Sequence, residues 1–456
     1  MKKHILCKTV DIAQRKDDNR WAALKSSKER SRKRPEMQTM KAQILKSLRR
    51  LRTFVLWTLV AVLTGLVCGA VGTAFHLAVD WATEIRLHLK WLLYLLPLAG
   101  LVITFIYRKT KTEGVGTNNI IHSIHTADHI PTRLVPVIFT ATTITHLFGG
   151  SAGREGAALQ IGGGLGCRIG EMLHLDKQDE RVITLCGMGA VFAALFGTPV
   201  TATVFVLEVA SVGLLQYSAM VPCLVSALTA YGVACLCGLS GSHYAPVMQA
   251  LSSVMLGKTA VLALIITLMS ILLCGVLHNC EHYSKKIHNS YARAFVGGVI
   301  LVALTLLLGT RDYNGAGGDV IVMALGGHVN SPWAFLWKLI FTAITIACGY
   351  KGGEIVPTFF IGATLGCVLG PVLGIPAELS SALGLVGLFC GVVNCPVASI
   401  FLSIELFGAG ALPYFALMCA ISYMLSGSWG LYNGSQIIIF DKTHWQLVGD
   451  IKLYSE

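Results

Sequence analysis

Charge is scarce in this chain. Only 13% of its 456 residues are charged, where a soluble globular domain carries about a quarter. That shortage argues against an ordinary cytosolic enzyme. No zinc-type CxxC pair occurs among the fourteen cysteines. Most of them, Cys68, Cys186, Cys274 and Cys390 among them, lie inside apolar runs, where a free cysteine behaves as a small hydrophobe. A disulfide framework is therefore not expected, and no HExxH zinc-hydrolase motif is present. No cleavable signal peptide is expected either, since the first apolar run opens only near Phe54 and is too long. No soluble regulatory domain is expected, because apolar segments continue almost to the end.

What the chain has in abundance is apolar surface and glycine. Hydrophobic residues make up 54% of it and glycine contributes 48 positions, and the mean hydropathy is +0.66. At about 20 residues per simple span, a polytopic membrane protein is expected. The net charge of +12 belongs to one end, since residues 1–53 hold 17 Lys+Arg and 5 Asp+Glu and the remainder is neutral. The run Arg30-Ser31-Arg32-Lys33-Arg34 resembles a nucleic-acid patch, but a basic flank before a first span is what the positive-inside rule requires. The favoured reading is a disordered cytoplasmic tail against anionic lipid, with no nucleic-acid partner. A start at Met37 or Met40 would still leave a basic leader.

Apolar runs recur near 54–79, 91–107, 134–148, 182–196, 198–213, 217–239, 259–277, 294–309, 333–349, 355–373, 381–393, 395–408 and 411–425. Several are too short to cross a bilayer upright and read as half-helices or helices buried within protein. The runs also repeat. Residues 153–170 laid over 353–370 at a constant offset of 200 match at seven of eighteen positions, including Gly153/Gly353, Gly162/Gly362, Gly166/Gly366 and Cys167/Cys367. At offset 197, Pro199/Pro396, Val200/Val397, Glu208/Glu405 and Gly187/Gly384 coincide. Two halves sharing a Gly/Pro-broken pattern are typical of transporters built from repeats. The expected organisation is a basic tail (1–53), two membrane repeats (54–240 and 257–440) and a short C-terminal tail (441–456). Glu208 and Glu405 read as structural, repeat-equivalent helix ends.

Four short segments carry candidate chemistry. Gly149-Gly150-Ser151-Ala152-Gly153-Arg154-Glu155-Gly156 precedes a helix expected from near Ala157. A helix start points unpaired N–H groups and a positive dipole end at whatever lies before it, which suits an anion. The carboxylate of Glu155 could hold the anion's place and leave on protonation, which makes it a gate, or Arg154 and Glu155 could simply cap the loop. Gly352-Gly353-Glu354-Ile355-Val356-Pro357 is the repeat partner of that segment, with a proline suited to a first helical turn. Intramembrane carboxylates are costly, so Glu354 reads as functional. The loop Glu113-Gly114-Val115-Gly116-Thr117-Asn118-Asn119 precedes a third helix, with Thr117 or Asn118 expected as its cap. Tyr432, in Gly430-Leu431-Tyr432-Asn433, could donate to an anion or anchor the chain at an interface. His122, His125 and His129 would share a helical face, but no further ligand completes a metal site, and no metal or cofactor is called for.

Taken together, these segments resemble the CLC family of chloride channels and anion/proton antiporters across most of residues 50–440. The resemblance implies an all-α integral membrane protein, an inverted repeat of two halves with broken and short helices, and a homodimer with a pathway in each subunit. It places the chain in the cell membrane as a multi-pass protein, in a bacterial inner membrane with its N-terminus cytoplasmic. Carried over by position, Glu155 is the external gate, and the amides of Glu354 and Ile355 with the hydroxyl of Tyr432 contact the anion. Val115, Gly116, Thr117 and Asn118 stand where chloride-type members carry a serine and a proline. Ala157 replaces a common proline, and Val209 stands where the family's inner proton glutamate would be.

These departures, with Glu354, resemble the fluoride-exporting branch. Fluoride is small and strongly hydrated, so its site must replace water with good donors. Thr117 and Asn118 keep donors beside an apolar Val115, and Glu354 is the substitute proton carrier. The favoured function is fluoride/proton antiport, with a chloride channel or chloride/proton exchanger as the alternative. A membrane-embedded enzyme would need a nucleophile with a base in reach, and none is expected.

Overall fold

The computed structural model describes residues 3–126, 130–239, 241, 244–245, 247–432, 434–442 and 446–447, with the backbone alone for 3–42, 440–441 and 446–447. His129, Asn433 and most of the expected C-terminal tail lie outside the described residues. The chain divides into two units, Met1–Leu59 and Val60–Glu456. Helix α1 (Lys3–His88) enters both. The first unit is helical along its described backbone, where composition alone suggests a disordered tail. The physical reason lies in the local sequence. Glycine is absent before Gly65 and the tail is rich in Lys, Arg, Leu, Ala and Gln, all good helix formers.

In the second unit the remaining helices follow in order. They are α2 (Leu96–Thr110), α3 (Thr117–Thr126), α4 (Leu134–Phe148), α5 (Glu155–Met172), α6 (Lys177–Phe196), α7 (Pro199–Val209) and α8 (Met220–Leu236). After a linker come α9 (Ser253–Ser284), α10 (Ser290–Leu308), α11 (Gly318–Leu325), α12 (Ala334–Ala347), α13 (Ile355–Leu373), α14 (Ala377–Val393), α15 (Pro396–Phe407) and α16 (Leu412–Leu425). Among the described residues, six helices are long and apolar enough to cross a membrane. The others include apolar helices of 14 or 15 residues, such as α4, α12 and α16. These are shorter than a bilayer needs and bury their backbones against neighbours, as the short runs imply.

The repeat is visible in the packing. Gly162 on α5 lies against Gly187 on α6, and Gly362 on α13 lies against Gly384 on α14. A Cβ on any of the four would strike the carbonyl of its opposite. Small residues are what allow membrane helices to approach this closely. The halves also hold each other reciprocally. Glu208 at the end of α7 accepts from the amides of Val397 (3.2 Å) and Ala398 (2.8 Å) at the start of α15. Glu405 near the end of α15 accepts from Val200 (3.0 Å) and Thr201 (2.8 Å) at the start of α7. Each carboxylate thus satisfies helix-start amides that no local side chain caps, and Pro199 and Pro396 at the first turns need no partner of their own. Phe205 packs between Phe192 and Phe389, at ring-centroid distances of 5.2 and 6.0 Å, which joins the two halves through aromatic contacts.

Candidate anion site

The starts of α5 and α13 meet tip to tip. The amide of Gly153 donates to the carbonyl of Gly353 at 2.7 Å, and the amide of Gly353 donates back at 2.8 Å. This isolated antiparallel bridge joins equivalent positions of the repeat and aims two positive helix ends at one point. The third helix start touches the same place. The carbonyl of Gly116 accepts the first helical bonds of α3, from Asn119 (3.1 Å) and Ile120 (3.4 Å). The amide of Gly116 donates to the Asn119 side chain at 2.9 Å, one half of a capping box. The cap is therefore Gly116, not Thr117 or Asn118. The Thr117 hydroxyl instead donates to the Gly156 carbonyl (3.3 Å) and accepts from the amide of Gln160 (3.2 Å).

Helix α5 starts at Glu155, two residues before the expected Ala157, so the carboxylate belongs to the first helical turn. Arg154 does not pair with it. Its guanidinium holds Asp80 at 2.8 Å, and Asp80 also meets His76 at 2.9 Å. Glu155 is 0% exposed. The amides of Arg154, Glu155 and Val356 are its polar surroundings, but neither carboxylate oxygen completes a hydrogen bond of ordinary geometry. Oε2 packs instead on the backbones of Gly153 and Gly353, where any side chain would collide with it.

Two cavities flank this point. One, of about 370 Å³, is lined by the loop from Gly114 to Asn119, by Gln160, Gly352 and Glu354, and by Tyr432. It gathers most of the residues nominated from the sequence. Ile355, almost fully buried as the first residue of α13, offers its backbone rather than a lining side chain. The Tyr432 hydroxyl is buried and has no partner. The second cavity, of about 410 Å³, is lined by Arg154, Val356, Arg86, His146 and the start of α11. Glu155 lines neither, but Arg154 and Val356, whose amides surround it, line the second, and Gly352 and Glu354, on either side of Gly353, line the first. It forms part of the wall between them.

Some residues were not legible. Gln160 is a buried amide whose carbonyl oxygen has no partner, and its signal was an uncharged polar residue inside the glycine-rich apolar stretch of 156–167. Gln436 donates to the carbonyls of Val209 (2.9 Å) and Val393 (3.1 Å), which braces the segment bearing Tyr432. Gly149-Gly150-Ser151-Ala152-Gly153 has GxSxG spacing, which the expectation of no nucleophile passed over. The Ser151 hydroxyl is fully buried and bonded to Thr342 at 3.1 Å, with no base among its partners. His125 bonds the Ala210 carbonyl at 2.7 Å. Cys167, Glu171 and Glu180 also come together, but the thiol bonds Glu180 at 3.3 Å and Glu171 holds Arg168 at 2.9 Å.

Comparison with known proteins agrees with this geometry. Residues 99–427 match the family described as voltage gated chloride channel. A chloride/fluoride channel protein of Pseudomonas syringae pv. tomato is 36% identical over 409 residues, 87% of this chain and 90% of its own. An H(+)/Cl(-) exchange transporter ClcA of Cronobacter sakazakii is 25% identical over 385 residues, 76% of this chain and 81% of its own. The crystal structure of a CLC-type fluoride/proton antiporter superposes with a TM-score of 0.81 at 32% identity, covering 84% of this chain and 98% of that one. A slow cyanobacterial Cl-/H+ antiporter shares the fold at a TM-score of 0.69 and 18% identity, covering 81% of this chain and 94% of that one. By motif, fold and descent alike, this chain is a multi-pass membrane protein of the CLC family of anion channels and transporters.

Proposed function

We propose that the protein exports fluoride in exchange for protons, with Glu155 as the gate. The observation that carries this reading is the buried carboxylate of Glu155, unpaired at the meeting of two helix starts and set in the wall between two cavities. An ionised carboxylate there takes the position an anion would take. Protonation removes its claim on the helix ends and lets an anion replace it. Glu354 lines the first cavity, next to the bridge, so it can receive protons where Val209 offers no carboxylate. The anion is held by the amides of Glu354 and Ile355, by the Tyr432 hydroxyl and by the polar edge of the Val115–Asn118 loop. Similarity to the fluoride/proton antiporter supports the choice of ion. The relative named a chloride/fluoride channel, together with the apolar Val209, supports a second reading of passive anion conduction.

The subunit acts within a homodimer in a bacterial inner membrane. The basic residues before the first span support a cytoplasmic N-terminus. The testing experiment is anion release from liposomes containing the purified protein, fluoride against chloride, with proton uptake followed in the same vessel. Fluoride preference with proton movement against its gradient is expected, and Glu155→Gln abolishes the proton movement. Chloride flux without protons would replace antiport by conduction. Coupling that survives in Glu155→Gln would remove the gate.

A further inference from the structure

The second cavity holds a cation that, among the described residues, makes no ion pair, although the Asp319 carboxylate lines the same cavity. Arg86, two residues before the end of α1, is only 9% exposed, and its Nε has no acceptor. Among the described residues it makes no ion pair. Its guanidinium lies on Gly315, where a Cβ would come within 2.7 Å of Nη2, so the glycine leaves room for it. Burying a guanidinium without an anionic partner is costly, and the group carries five donors.

A second donor set faces the same space. Helix α11 starts after Gly317, which is in the left-handed region at φ 82°, and no side chain caps it. Gly317, Gly318 and Asp319 line the cavity together with Arg86 and His146. The other charges around it are engaged. Arg154 holds Asp80 at 2.8 Å, the Arg311 guanidinium donates to the Lys90 carbonyl at 2.8 Å, and Asp312 accepts from Asn330 at 3.1 Å. Asp319 remains as a carboxylate in the wall. His146 is 1% exposed, and its Nδ1 donates to the Thr142 carbonyl at 2.9 Å. Its Nε2 is therefore a bare, unpartnered acceptor.

We propose that Arg86 and the uncapped start of α11 form a second anion site, an outer station that holds a small monovalent anion together with part of its water. Arg86 and the first amides of α11 face the anion, and His146 Nε2 accepts from its water. Asp319 keeps the binding weak, which a station on a transport path requires. Its place follows from the chain path. The cavity is lined by Leu87 and by Arg311, which holds the Lys90 carbonyl ahead of α2, whereas the Gly114–Asn119 loop after α2 lines the other cavity. An anion freed from behind Glu155 would meet Arg86 next. The proposal rests on anion transport by the family and not on the choice of fluoride or on proton coupling.

The test is anomalous diffraction from crystals of the full chain grown in sodium bromide. The wild-type protein is expected to show a bromide peak against Arg86, lost in Arg86→Gln. No peak at Arg86 in the wild type, or one that persists in Arg86→Gln, would overturn the station. Should that variant not fold, Arg86→Met keeps a long stem without the charge or the donors, and an undiminished peak there would overturn it equally. In liposomes, Arg86→Gln is expected to slow anion efflux roughly tenfold, the loss of one charge-assisted hydrogen bond, with the proton-to-anion ratio unchanged. An unaltered efflux rate would count against the station. The ratio reports separately on the antiport reading, so the two ideas can fail independently.

Discussion

A buried polar atom without a partner is expensive. Among the residues that carry one here, Gln160 and Tyr432 line the first cavity, Arg86 and His146 line the second, and Glu155, with both carboxylate oxygens unpartnered, lies at the bridge of the two helix starts. Tyr432→Phe removes a donor from the first cavity without altering its volume. A hydrogen bond to a charged group is worth about 1.5–3 kcal/mol, so the apparent affinity for fluoride should fall at least about tenfold, read as the concentration for half-maximal flux. An unchanged value would take Tyr432 out of the anion's contacts. Glu354→Gln keeps the shape and removes the ionisable group. Proton-coupled flux should fall below a tenth while fluoride binding, measured calorimetrically, persists; full coupling in that variant would return the proton role to another residue. Glu155 and Glu354 stand out in the sequence because a carboxylate among glycines and apolar residues has no cheap explanation. Arg86 does not, because an arginine near a helix end reads as an interfacial anchor, and only the folded chain shows that no described residue pairs with it.

At the scale of elements, the repeat was legible as matched glycines, prolines and glutamates, because close helix contact and helix starts restrict residue type at fixed spacing. Helix starts were less legible. Helix α5 begins two residues early because the bridge from Gly153 to Gly353 secures the loop before it, a contact across 200 positions that no local pattern contains. The cap of α3 shifted for a similar reason, as Thr117 turns to Gly156 on another helix. The glutamates of α7 and α15 show how distant contacts replace local caps. Glu208→Ala strands two helix-start amides on the opposite half, and Glu405→Ala does the same in return. Each unmade bond costs about 1–3 kcal/mol, so either variant should lower the melting temperature in detergent by several degrees. Glu208→Gln, which retains one acceptor oxygen, should lose less. Equal melting of Glu208→Ala and the wild type would mean that water replaces the carboxylate.

At the scale of the whole molecule, the proposed assignments separate orientation from transport. Every residue assigned to the anion route, from Arg86 to Tyr432, belongs to the unit Val60–Glu456, while the net charge belongs to residues 1–53. The tail's contribution to orientation should come mainly from the basic residues nearest the first span, since the positive-inside effect is counted close to the membrane. A chain begun at Met40 keeps Lys41, Lys46, Arg49, Arg50 and Arg52 and carries no acidic residue before Phe54. It should insert with the same orientation as the full chain, as judged by protease access to a tag at the new N-terminus. Its fluoride efflux per folded protein should stay within about twofold, because the tail contributes none of the donors at the two helix starts. Replacing those five basic residues by glutamine should instead scramble the orientation, since the remaining loops carry balanced charge. Lost transport in a correctly inserted Met40 chain would show that the tail acts on the route itself, and the separation of roles would fall.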